Sequence, residues 1–155
     1  MSFKKVYDDQ GVKLVGRWTY HLKREDGTEE TRHGTNVVCT NGKEFLASFL
    51  YSAAVAASTF TCKYIGVGSD STTEAAANTA LGTELSRHTG TVSYVSNQIY
   101  RVTATFAAGS GTGSIYEYGL FSSNTGGTML NRDTEALISK GAGDVLTVTM
   151  NLTIS

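Results

Sequence analysis

Four charged residues stand in segments that are otherwise neutral or apolar. Glu84 and Arg87 lie in Leu81-Gly82-Thr83-Glu84-Leu85-Ser86-Arg87, Glu117 in Ile115-Tyr116-Glu117-Tyr118-Gly119-Leu120-Phe121, and Arg132 in Met129-Leu130-Asn131-Arg132. Two such acids could work as the carboxylate pair of a glycoside hydrolase, one donating a proton to the leaving oxygen. That role needs one carboxyl to be protonated near neutrality. An arginine near each acid favours the ionised form of both, which does not suit a general acid. The pattern points instead to paired, partly buried salt bridges that tie loops to strands. Removing one partner of such a pair costs about 3–5 kcal/mol when it is fully buried.

The other reactive residue types form no recognised pattern. Gly66-Val67-Gly68 lacks the third glycine and the strand-to-helix setting of a dinucleotide fingerprint, so a turn is expected there. His21, His33 and His88 sit in separate segments without metal-ligand spacing, and no cofactor or metal is expected. Asp70-Ser71-Thr72-Thr73-Glu74 clusters oxygen donors but lacks the order of a calcium loop, and reads as a solvated turn. Serines are abundant, yet there is no Gly-x-Ser-x-Gly elbow and no histidine placed to serve one. Cys39 and Cys62 are 23 positions apart and read as free, buried thiols.

The elements that hold these residues are mostly strands. Thr, Ser and Gly supply 54 of the 155 residues and proline is absent, a composition that favours strands and turns over long helices. From Val12 to Lys23 the even positions (Val12, Leu14, Gly16, Trp18, Tyr20, Leu22) are mainly apolar and the odd ones mainly polar, the period of a half-buried strand. Asp26-Gly27 turns the chain into a charged return strand, Glu29 to Val38, expected at a sheet edge. Asn41, with Glu44 three residues on, predicts a capped helix running to about Ala54, its apolar stripe made by Phe45, Leu46, Phe49 and Leu50. Phe60 to Val67 reads as a buried strand and 78–87 as a short helical turn. Further strands are expected over 91–94, 98–107 and 114–122. The last, Asp144 to Ser155, alternates without a break. The expected fold is mainly β: an antiparallel, jelly-roll-like β-sandwich over residues 12–155 with one or two short helices, preceded by an arm over 1–11.

Charge and hydropathy narrow the partners. Thirteen basic against fourteen acidic residues argue against a general phosphate-backbone binder, so no nucleic acid is expected. The longest mostly apolar run, Phe45 to Ala57, is too short to span a bilayer, and Lys4-Lys5 is followed by acids rather than an apolar stretch. Neither a membrane span nor a secretory signal is expected.

Taken in order, several of these segments resemble a family of small tailed-bacteriophage virion proteins. The pattern starts at Thr35-Asn36-Val37-Val38 and Asn41-Gly42-Lys43-Glu44-Phe45-Leu46. It continues through Ile65-Gly66-Val67-Gly68 and Thr79-Ala80-Leu81-Gly82-Thr83-Glu84-Leu85-Ser86-Arg87. It closes with Glu117-Tyr118-Gly119-Leu120-Phe121, Met129-Leu130-Asn131-Arg132 and the terminal strand. The resemblance implies a sandwich virion component without enzymatic activity, found either as a capsid decoration (cement) protein or as a tail-fibre or baseplate module, the latter with possible host-glycan binding. The chain carries no coiled-coil or shaft repeat, which favours the cement setting. That setting implies location on the capsid surface, assembly in the host cytoplasm, the major capsid protein as partner, and self-association as a homodimer or homotrimer. Ser2-Phe3-Lys4-Lys5-Val6-Tyr7 reads as an arm laid over a neighbouring subunit, with Phe3, Lys4, Lys5 and Tyr7 making the contact. The odd face of the first strand (Lys13, Arg17, His21, Lys23) is a second candidate surface.

Overall fold

The computed structural model describes residues 13–51, 62–96 and 98–155. They form an antiparallel β-sandwich of two five-stranded sheets with one helix. The expected arm over 1–11, with Phe3, Lys4, Lys5 and Tyr7, lies outside the described residues, as do Val12 and the segment 52–61.

The chain opens with the hairpin β1 (Leu14–Lys23) and β2 (Glu29–Thr35), closed by Gly27 at φ 85°. Trp18, Tyr20 and Leu22 are buried, while Arg17 and Lys23 on the odd face are exposed. The charged return strand does lie at an edge, but it ends at Thr35. After Asn36 the chain crosses to the second sheet as β3 (Val37–Val38).

Helix α1 (Thr40–Tyr51) begins before Asn41. The Cys39 carbonyl accepts the first helical bond from the Lys43 amide at 3.1 Å, so the Asn41–Glu44 capping box is not the device that starts the helix. α1 lies on β9 (Met129–Lys140), and Phe45 and Leu46 reach the core between the sheets. The side chains of Phe49 and Leu50, and the expected end near Ala54, are outside the described residues.

After α1 come β4 (Tyr64–Gly68) and β5 (Glu84–Thr89), then β6 (Thr91–Ser96) and β7 (Ile99–Phe106). β8 (Gly113–Phe121), β9 and β10 (Val145–Ile154) complete the sandwich. The helical turn expected over 78–87 is therefore a correction: from Glu84 onward the chain is a strand. The chain changes sheets between β5 and β6 at Gly90, where a Cβ would meet Val102 Cγ1 at 2.5 Å. β9, twelve residues long and second from the edge of its sheet, is an element the sequence reading did not name.

One sheet (sheet A) runs β2-β1-β10-β7-β6 and the other (sheet B) β3-β9-β8-β4-β5. Between them lies the main core, with Trp18, Tyr20, Val102, Phe106, Leu146 and Val148 of sheet A against Ile65, Val67, Ile115, Tyr118 and Leu120 of sheet B. Tyr20 stacks on Tyr118 across the sandwich, ring centroids 3.9 Å apart. A smaller apolar cluster of Cys39, Leu81, Phe121 and Met129 forms on the other side of sheet B, under the loop joining β4 to β5. Sheet B is thus covered on both faces, whereas no side chain on the outer face of sheet A is buried.

Candidate functional site

The four charges singled out in the sequence gather on the outer face of sheet B. Ile65 and Val67 of β4 and Tyr118 and Leu120 of β8 point into the sandwich. Alternation therefore turns Gly66, Gly68, Glu117 and Gly119 outward. Gly68 pairs with Glu84 on one side and Glu117 on the other, so both acids flank one glycine. Gly66 pairs with Arg87 and Gly119, and Gly119 with Arg132.

The glycines are bare for a reason of space. A Cβ on Gly119 would stand 2.9 Å from Phe121 Cε2 and 3.1 Å from Leu81 Cδ2, and one on Gly66 3.1 Å from Leu81 Cδ1. The loop presses Leu81 into the slot these two residues leave open.

Glu117 fixes that loop. Its carboxylate is fully buried and accepts the Gly82 amide at 2.8 Å, the Thr83 amide at 2.8 Å and the Asp70 amide at 3.3 Å. Arg132, 2% exposed, donates to it through Nε at 3.0 Å and approaches it through Nη2 at 2.9 Å. The same guanidinium reaches Asp70 at 3.3 Å and Asn78 at 3.1 Å. Every part of this buried pair is hydrogen-bonded, the condition under which burying two charges is tolerable. Two hydrogen bonds from Thr72, one through its amide, hold the Asp70 carboxyl below its usual range, with the Arg132 charge contributing less.

Arg87 and Glu84 clamp a second loop. Arg87 binds Glu84 through two nitrogens, at 2.9 and 2.6 Å, and donates to the Ser123 and Gly126 carbonyls. Its guanidinium lies 3.4 Å above the centre of the Phe121 ring. Glu84 keeps about a third of its side chain in solvent. Chemically, then, these four residues hold the β4–β5 loop and the turn after β8. Each carboxylate is engaged by an arginine, and Glu117 has no solvent exposure through which to meet a substrate.

The histidines take separate partners: His21 with Glu29, His33 with Thr19, and His88 with Ser110. The last corrects the expectation that no histidine serves a serine, since His88 Nε2 lies 2.7 Å from Ser110 Oγ. These residues are 22 apart in sequence, one on β5 and the other in the connection from β7 to β8, and the fold brings them together. No carboxylate bonds to His88 among the described residues, and its ring rests against Phe106 at 4.7 Å. The pair thus lacks the group that would orient the imidazole as a base.

A buried acid was missed altogether. Asp133 on β9 is 1% exposed and accepts a hydrogen bond from the Tyr20 hydroxyl, and its other oxygen has no partner among the described residues. Burial pushes its carboxyl up to about 7, against the pull of the Tyr20 bond, with Glu135 and Glu74 adding to the rise. No sequence signal marked it: Asp133-Thr134-Glu135 follows the segment singled out for Arg132, and its residue types alone do not separate a buried acid from a solvated one.

Cys39 and Cys62 are free and buried, and burial pushes the Cys62 thiol up to about 12. Among the described residues no group of three or more His, Cys, Asp or Glu side chains could hold a metal ion, and no helix is long and apolar enough to cross a membrane. No protein-family model, curated protein or solved structure matches the chain.

Proposed function

We propose that this chain is a non-enzymatic structural protein of a tailed-bacteriophage particle, a decoration protein that binds the major capsid protein on the outer shell. It acts as a homodimer or homotrimer that bridges neighbouring capsomers. The observation that carries the reading is what the residues of the resembling segments do: Gly66, Leu81, Glu84, Arg87, Glu117, Gly119 and Arg132 spend their chemistry on locking two loops to sheet B. Residues committed to a frame suit a protein whose task is to hold a shape while its surface binds. Shell binding repeated by symmetry stabilises the particle by mass action, even when each contact is modest.

The test is co-sedimentation of the purified protein with mature shells that lack it, and separately with host cells. Saturable binding to shells supports the decoration role. Binding to cells alone moves the protein to the tail and a glycan-binding role. Glycan hydrolysis that disappears in Glu84→Gln would replace both with an enzyme.

A further inference from the structure

The outer face of sheet A is the broad surface that nothing described covers. Its strands place small hydroxylated side chains in register: Thr91, Thr103, Thr149 and Thr19 stand side by side across β6, β7, β10 and β1. The next row reads Ser93, Arg101, Asn151, Arg17 and Thr35. Strands about 4.8 Å apart put Arg17 and Arg101 on either side of Asn151 with their backbones about 10 Å apart.

This row is rich in unpaired donors. Arg101 donates Nε to Asn151 Oδ1 at 2.7 Å, and among the described residues neither its terminal nitrogens nor the Asn151 amide nitrogen has a hydrogen-bond partner. Arg17 has no hydrogen-bond or ion-pair partner among the described residues. The acids nearby do not neutralise the row: Glu29 is engaged by His21 and Lys23 at the far end of the hairpin. Glu135, at the β2 edge of a shallow depression that Arg17 also lines, makes no ion pair with it.

We infer that the Arg17–Asn151–Arg101 row is a docking surface for carboxylate side chains on a heterologous protein partner. Two guanidinium forks whose terminal nitrogens have no partner among the described residues match two carboxylates bidentately, and the threonine row beside them allows a flat surface to close over the site. A second copy of this chain fits poorly, because face-to-face pairing would set one arginine row against another. A neutral glycan also fits poorly: the rings on this face among the described residues are the imidazoles of His21 and His33, engaged by Glu29 and Thr19, while Trp18 and Tyr20 are turned into the core.

The inference deepens the proposed shell-binding role by naming the surface used, and its test separates the two. Titration of the protein with poly-glutamate at low salt, followed by the Nε–Hε resonances of its arginines, should shift Arg17 and Arg101 and leave the buried Arg132 unmoved. Arg17→Glu/Arg101→Glu should weaken poly-glutamate binding at least tenfold, while the charge-matched Lys43→Glu/Lys63→Glu should not. Arg17→Gln/Arg101→Gln serves if the glutamates disturb folding. Shifts elsewhere, or equal binding by the two double variants, overturn the inference. Alginate binding as tight as poly-glutamate reassigns the surface to acidic polysaccharide. Shells then supply the second arm. Undiminished shell binding by Arg17→Glu/Arg101→Glu overturns the docking surface. Absence of shell binding by the native protein, with poly-glutamate binding intact, overturns the proposed role and leaves the surface standing.

Discussion

Replacing Glu117 by Gln tests whether the β4–β5 loop is held as described. The change keeps the shape of the side chain and removes its charge. Arg132 would remain 2% exposed without its buried counter-ion, its charge answered by the partly exposed Asp70 alone beside neutral acceptors such as Asn78. The new amide nitrogen would also face an amide donor, from Gly82 or from Thr83, where a carboxylate oxygen now accepts. Breaking a buried pair costs about 3–5 kcal/mol, and the surviving contacts to Asp70 and Asn78 place this case near 3 kcal/mol. In a chain of this size that lowers the thermal midpoint by about 6–12 °C. Glu84→Gln is the internal control. Glu84 is also paired with an arginine, but its side chain is 34% exposed and Arg87 keeps the Ser123 and Gly126 carbonyls and the Phe121 ring. Solvent screening holds its expected cost below about 1 kcal/mol. Urea unfolding of both variants gives the energies, and amide exchange at Asp70, Gly82 and Thr83 reports the loop. Equal costs for the two substitutions, or a Glu117→Gln loss under about 1 kcal/mol with those amides still protected, would refute the reasoning.

Three further outcomes are expected. The Asp133 carboxyl sits at about 7 in the fold against an ordinary 3.8, so the folded state binds its proton more tightly than the unfolded chain. Its contribution is therefore full below about pH 4, declines as pH rises to about 7 and is flat above. The loss is on the order of 2–4 kcal/mol, the upper figure from ~1.4 kcal/mol per unit and the lower allowing for local relaxation around the ionised carboxylate. Asp133→Asn should flatten that slope in urea titrations from pH 4 to 8, and an unchanged slope contradicts the assignment. Gly42→Ala, which in an open helix would stabilise by about 1 kcal/mol, should instead destabilise, because its Cβ would stand 2.2 Å from the Leu130 carbonyl oxygen of β9; a raised melting temperature counts against the docking of α1. Deleting residues 2–7 should weaken shell binding while leaving the melting temperature unchanged, and undiminished binding rules out the arm.

How much of this was legible varied with how cleanly each strand divides its faces. β1 and β10 each bury one face and wet the other, so Trp18-Thr19-Tyr20 and Val148-Thr149-Met150 announce themselves by alternation. β9 does not, because Asn131, Arg132 and Asp133 are all buried, one face against the other sheet and one beneath a loop. A run of consecutive polar residues reads as solvent until the covering loop is known. The misreading of 78–87 has a local cause. Glu84 and Arg87 are three apart, a helical spacing, and a regular strand would put them on opposite faces. The register shift where Gly68 pairs with Glu84 and Val67 with Ser86 makes Leu85 an extra residue, and this bulge returns both charges to one face. The four framework charges stood out because each interrupts an apolar run, but which loop each would hold depends on contacts up to 62 residues away, as between Asp70 and Arg132. The His88–Ser110 pair was hidden for the same reason.

The most direct test of the proposed role is sedimentation of the purified chain with mature phage shells prepared without it. Saturable binding, and a higher temperature of genome release from the decorated particles, is the expected result. No binding to shells at any protein concentration, or binding to host cells alone, would contradict it.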